Sequence, residues 1–110
     1  MAVKWSIEIL SQEVVEELDA LPADMRAKLE HIVRLITDFG LERVREPHVK
    51  HLEGALWVMR LIDRDGIARA IYVTASGRRI VIVRAFRKKT QKTPRREIAL
   101  ALKRAETMDE

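Results

Sequence analysis

Apolar residues between positions 56 and 86 fall into three short runs separated by two polar turns. The runs cover 56–62, 67–73 and 79–86 and are rich in β-branched and aromatic residues. Asp63-Arg64-Asp65-Gly66 and Ala75-Ser76-Gly77-Arg78 stand between them. Such runs with Gly-containing turns predict a three-stranded antiparallel meander. Ahead of it, residues 4–10 alternate weakly and predict a strand. Ser11 is placed to cap a helix carrying Val14, Val15, Leu18 and Leu21 at helical spacing. Pro22 and Asp24 break and restart the pattern. Met25, Leu29, Ile32, Val33, Ile36 and Phe39 then line one face of a second helix, with Gly40 as its C-cap. Residues 41–55, with Pro47, Gly54 and no clear period, are expected to be irregular. After Phe86, Thr93 suits an N-cap, Pro94 the first helical position and Glu97 the first turn. Ile98, Ala101, Leu102 and Ala105 give a short amphipathic helix. The order β-α-α-β-β-β-α predicts an α+β fold. A small antiparallel sheet carries two N-terminal helices on one face and a short C-terminal helix, with the other face partly open.

The register of the three runs carries more information. With loops symmetric about their centres, Arg60 faces Arg69 and Arg69 faces Arg84, one row across three strands. Like charges directly opposite each other destabilise a sheet. A row of guanidinium groups is kept where an anion offsets the repulsion, and a phosphate matches their fork of donors. The alternative is that the arginines snorkel to solvent over apolar neighbours. A one-residue bulge would move one Arg to the other face.

Composition adds a charge asymmetry. The chain has 110 residues, no cysteine and a net charge of +4. This size suits one domain, and the lack of Cys excludes disulfides and thiol chemistry. Residues 1–55 hold seven Lys and Arg against eleven Asp and Glu, and residues 56–110 hold fourteen against six. From Arg84 to Arg96 there are seven basic residues and no acidic one. A basic half points to a polyanionic partner, nucleic acid first, with an acidic protein surface as the alternative. His48 and His51 stand at i, i+3, but no third His or carboxylate completes a ligand set, so neither metal nor cofactor is expected. His31 beside the apolar stripe of the second helix is read as a surface or edge-of-core residue. No apolar run approaches a membrane span and no signal-like apolar segment stands near residue 1, so no membrane is expected and the cytoplasm is the expected location.

Two segments carry a resemblance. Val49-Lys50-His51-Leu52-Glu53-Gly54-Ala55-Leu56-Trp57-Val58-Met59-Arg60 and Ala85-Phe86-Arg87-Lys88-Lys89-Thr90-Gln91-Lys92-Thr93-Pro94 resemble the HigB-type, phage Gp49-like branch of the RelE/ParE toxin superfamily. The Phe-x-Lys-Lys-Thr-x-Lys-Thr-Pro part is the more specific. Val58 departs from the branch, which commonly has an acidic residue there. The resemblance implies the toxin of a type II toxin–antitoxin pair, an endoribonuclease acting on mRNA at the ribosome. It also implies an antitoxin partner, in this branch commonly a helix-turn-helix protein of the HigA type.

RNA cleavage without a metal needs a base for the 2′-hydroxyl, cations for the phosphorane charge and an acid for the 5′-oxygen. Arg60, Arg69 and Arg84 suit the second task. Lys50, Lys88 and Lys89 are candidates for the proton transfers, because a Lys crowded by cations has its charged form disfavoured. His51 and His48 are rivals. Phe86 is placed to stack a base, or else to pack in the core. Arg87 extends the basic run, and Lys92, Arg95 and Arg96 suit contacts to the phosphate backbone of mRNA or ribosomal RNA. Three other classes remain open: a ParE-like DNA gyrase poison, a domain that binds RNA without cutting it, and a module that chiefly binds its antitoxin.

Overall fold

The computed structural model describes residues 4–64, 66–88 and 92–108. Five strands form one sheet in the order β1-β5-β4-β3-β2: β1 (Ser6–Ile9), β2 (Val49–Glu53), β3 (Leu56–Asp63), β4 (Gly66–Ala75) and β5 (Arg79–Lys88). Three helices accompany them: α1 (Gln12–Asp19), α2 (Ala23–Phe39) and α3 (Arg95–Ala105). The α+β order expected from the sequence is therefore present, with two differences. The sheet is mixed rather than antiparallel, because β1 runs parallel to β5 along its outer edge. The second difference lies in residues 41–55, which were expected to be irregular. They supply a short helical turn (Leu41–Arg43) and the edge strand β2, paired antiparallel with β3. β2 escapes a periodicity reading because Lys50, His51 and Glu53 are polar, as an edge strand favours, and because its register shifts between His51 and Glu53.

Side-chain alternation splits the sheet into two cores. Met59, Leu61, Ala68, Ala70, Tyr72, Ile80 and Ile82 point to one face, which α1 and α2 cover with Val14, Leu18, Met25, Ile32 and Ile36. Val58, Ile71, Val73, Val81, Val83 and Phe86 point to the other, where Ile98 and Ala101 of α3 pack on them. The second face is thus largely covered rather than open. Ser11 does cap α1, its Oγ accepting from the Val14 N–H at 3.4 Å. Thr93 does not cap α3: that position belongs to Pro94, and the Thr93 hydroxyl accepts instead from Arg69 Nη1. Phe39, expected on the apolar stripe, is 60% exposed. Among the described residues no helix is long and apolar enough to cross a membrane.

The β3–β4 hairpin has its expected register, with Arg60 opposite Arg69 and Asp63 opposite Gly66. The β4–β5 hairpin does not. Its loop holds three residues, since Ala75 pairs with Arg79, and both Gly77 (φ 80°) and Arg78 (φ 56°) are left-handed. A bulge then skips Val83 between the Ile71–Arg84 and Tyr72–Ile82 pairs. The two shifts place Phe86, not Arg84, opposite Arg69.

Tyr72 is 1% exposed and its hydroxyl has no hydrogen-bond partner among the described residues. Burial pushes that hydroxyl's pKa up. A buried polar atom without a partner costs stability. Tyr72→Phe is therefore expected to leave the fold unchanged in stability or stabilise it by up to about 1 kcal/mol. The check is a urea midpoint equal to or above that of the parent, with the same slope.

Candidate nucleic-acid interface

Four cations converge on the α3 face of the sheet, one from each of four adjacent strands. Arg60 on β3 and Arg69 on β4 are directly paired. Lys50 on β2 pairs with Val58, so it shares their face. Lys88 on β5 pairs with Ile67, two residues from Arg69 on the same side of β4. Arg69 is only 7% exposed and Lys88 only 9%. Arg60 is half-buried, with an Nε that finds no hydrogen bond among the described residues. Lys50 is exposed.

The electrostatics follow from this crowding. Burial, then the charge of Arg60, lowers the pKa of the Arg69 guanidinium from its ordinary value. Lys88 is pushed down to about 8, by burial first and then by Arg69, Arg60 and Lys50. Both causes disfavour the ammonium form. A lysine at about 8 is a usable proton acceptor and donor near neutral pH, which an ordinary lysine is not. Thr93 ties the segment leading into α3 to Arg69. Arg95, in the first turn of α3, reaches Glu53 at the end of β2 (Nη1 to Oε1, 2.6 Å). The start of the last helix is thereby held beside the cluster.

Arg84 belongs elsewhere. The β4–β5 shifts set it opposite Ile71, two residues along β4 from the expected partner Arg69. Its Nε donates to Glu97 Oε1 at 2.7 Å and its Nη2 to Glu97 Oε2 at 3.1 Å, while Nη1 meets Glu17 Oε2 at 2.8 Å. With its fork taken by two carboxylates, Arg84 joins helices rather than awaiting a phosphate. Glu17 also accepts from the Ala85 backbone N–H (3.1 Å) and from both Nη atoms of Arg104 (3.0 and 2.8 Å). Arg104 in turn donates to the Val83 carbonyl at 2.9 Å. β1 pairs with β5 only as far as Ile82. Beyond it, Glu17 from α1 and Arg104 from α3 satisfy the edge of β5 in place of a strand.

Of the other sequence candidates, Phe86 lies on the cluster's face but is buried under the Arg84 guanidinium, 5.7 Å from the ring centroid. Its ring packs in the core instead of offering a stacking face. His51 pairs with Trp57, and Arg87 with Ala68, which sets both toward the helix-pair face, away from the cluster. The His51 ring stands edge-on to Trp57 at 4.9 Å, and His48 stands against His31 at 6.1 Å. Lys92, Arg95 and Arg96 are exposed around the start of α3. Lys89 lies outside the described residues. No group of three or more His, Asp and Glu among the described residues is arranged to hold a metal ion. In the sequence Glu97 has only a place in the first helical turn, not its pairing with Arg84, and neither Glu17 nor Arg104 is singled out. Glu17 and Glu97 each precede an apolar residue of their helix that reaches the core, Leu18 and Ile98.

The α+β fold of this chain is similar to that of solved RelE and YoeB structures. One is RelE in the archaeal RelE–RelB complex from Pyrococcus horikoshii, with TM-score 0.55 and 23% identity over 76% of this chain and 94% of that one. Another is in the YoeB–YefM complex from Staphylococcus aureus, with TM-score 0.56 and 14% identity over 78% of this chain and 99% of that one. Residues 16–106 match the family described as "Phage derived protein Gp49-like (DUF891)", and the chain belongs to that family. No curated protein matches it in sequence.

Proposed function

We propose that the chain is the toxin of a type II toxin–antitoxin pair and that it cleaves mRNA at the cluster of Lys50, Arg60, Arg69 and Lys88. The observation that carries this reading is the burial of two like charges, Arg69 and Lys88, beside a third and a fourth. Like charges brought together on one sheet face repel, and an anion such as a phosphate entering among them would offset that repulsion. The likeness to RelE and YoeB, each solved with a second protein, supports an antitoxin partner, here of the HigA type. The function itself rests on the site, because fold alone does not assign it.

In this reading the scissile phosphate lies across Arg60 and Arg69. Their guanidinium groups hold its oxygens and stabilise the charge that builds up in the phosphorane. Neutral Lys88 accepts the proton of the 2′-hydroxyl as that oxygen attacks phosphorus. The P–O5′ bond breaks, and Lys50 gives a proton to the departing 5′-oxygen. The products are a 2′,3′-cyclic phosphate and a 5′-hydroxyl end. Lys92 and Arg96 contact the flanking backbone, on mRNA or ribosomal RNA, and set affinity rather than rate.

A base must be neutral to act, so the sign of the pH dependence is fixed. Cleavage is expected to rise about tenfold per pH unit below the Lys88 pKa and to level off above about 8. Lys88→Arg keeps the charge but stays protonated throughout. It is expected to lower the rate by on the order of 10²-fold and to abolish the rising limb. The assay is mRNA cleavage in a ribosome-containing translation extract across pH 6 to 9, with the new ends tested for cyclic phosphate. A rising limb unchanged in Lys88→Arg would refute the assignment of the base.

A further inference from the structure

A concavity lies on the face of the sheet opposite the cationic cluster, roofed by the segment that follows α2. It encloses about 840 Å³. Trp5 and Trp57 form its walls, Tyr72 lines it from β4, and Val44 and Val49 supply apolar shoulders. Glu42 and Glu46 stand among the lining residues, with Arg45 the one cation there. The tryptophans are held in place: Trp5 Nε1 donates to Glu42 Oε1 at 3.1 Å, and Trp57 stands edge-on to the His51 ring. Arg45 is directed along its own chain, its Nε donating to the Glu42 carbonyl at 3.4 Å. Glu46 makes no ion pair or hydrogen bond among the described residues. Trp57 is 39% exposed, which is unusual for so large an apolar side chain within a strand.

We propose that this cavity is a docking site for a basic segment of a partner protein, with an arginine or lysine side chain seated between Trp5 and Trp57. The chemistry is complementary at each level. Aromatic faces attract a cation, indole most strongly. The methylene stem of Arg or Lys suits Val44 and Val49, while its charged head is left at the rim beside Glu46. The same carboxylates disfavour a nucleic-acid phosphate or an acidic peptide. The cavity is wider than one side chain and continues to Leu41 and Thr74, so an extended segment fits better than a lone small cation. The site is separate from the cationic cluster and does not depend on the ribonuclease reading.

The chain has two tryptophans, and both line this cavity, so its intrinsic tryptophan fluorescence reports on the cavity alone. The test titrates the full chain with a blocked peptide carrying a central Arg between apolar residues. Matched peptides with Gln or Glu at the centre, and a single-stranded RNA oligonucleotide, serve as comparisons. A saturable emission change is expected with the Arg peptide, on the order of fivefold tighter than with the Gln peptide and absent with the Glu peptide. Glu46→Gln, which leaves both tryptophans and their hydrogen bonds in place, is expected to weaken it by a similar factor. The proposal is overturned by a lack of saturable change with the Arg peptide, or by equal binding of the Gln or Glu peptide. Affinity unaltered by Glu46→Gln, or a response to RNA alone, would overturn it equally.

Discussion

Arg60→Ala combined with Arg69→Ala is expected to abolish growth arrest on induction and to lower RNA cleavage by at least about 10³-fold. Removing one preorganised donor from a developing oxyanion typically costs 10²- to 10³-fold, and here two forks are lost. The accompanying change in stability makes the result diagnostic. Arg60 and Arg69 face each other across β3 and β4, and Arg69 is almost fully buried. Like charges in that position repel, so the double variant should unfold at the same denaturant concentration as the parent or higher, despite the lost Thr93–Arg69 hydrogen bond. Activity lost while stability is kept or gained marks residues retained for chemistry. A variant that instead unfolds easily would make the pair a structural element. Lys88 should respond as well. With the two guanidinium groups removed, its pKa should move back from about 8 toward the ordinary lysine value, because two of its depressing charges are gone.

Glu17→Ala is expected to have the largest effect on stability, about 3 kcal/mol, because breaking a partly buried ion pair from one side strands the other. The Glu17 carboxylate meets Arg84, Arg104 and the Ala85 N–H, so its removal takes a partner from all three at once. Glu97 keeps Arg84 partly satisfied, which holds the loss below the sum of the separate contacts. Burial alone would raise the Glu17 carboxyl. The hydrogen bonds from Arg104 and Ala85 and the charges of Arg84 and Arg104 outweigh it and hold the pKa below its ordinary value. A depressed carboxyl contributes stability that is present above the unfolded pKa, near 4.5, and is lost as pH falls through the folded value. Acid should therefore destabilise the parent more steeply below pH 4.5 than it does Glu17→Gln. Urea midpoints measured between pH 3 and 7 test both statements.

The contrast between Arg69 and Arg84 shows what a sequence can convey about this fold. The β3–β4 register was legible because its loop is a two-residue turn, where strand pairing follows directly from the spacing. The β4–β5 register was not, for two reasons. Arg78 adopts a left-handed conformation that its residue type does not announce, and Val83 bulges out of a run that reads as an unbroken strand. Those two shifts remove Arg84 from the row. Lys50, just ahead of the Arg60 strand, and Lys88, in the basic run after Arg84, are far apart along the chain, and it is the fold that brings them together. β2 carries Lys50 as a polar edge strand with no periodic signature, and Lys88 joins the cluster because β5 stays paired with β4 as far as Ile67. The carboxylates that engage Arg84 come from α1 and α3, 67 and 13 residues away along the chain, a juxtaposition no local pattern encodes.

The central claim is that the cluster of Arg60, Arg69, Lys50 and Lys88 cuts RNA. Its most direct test maps mRNA 5′-ends genome-wide in a bacterial host after brief induction of the parent chain and of Arg60→Ala/Arg69→Ala, with growth followed alongside. New ends within coding sequences together with arrest for the parent, and neither for the variant, is the predicted result. Arrest without new ends, or arrest that persists in the variant, would contradict the claim and point to another target such as gyrase.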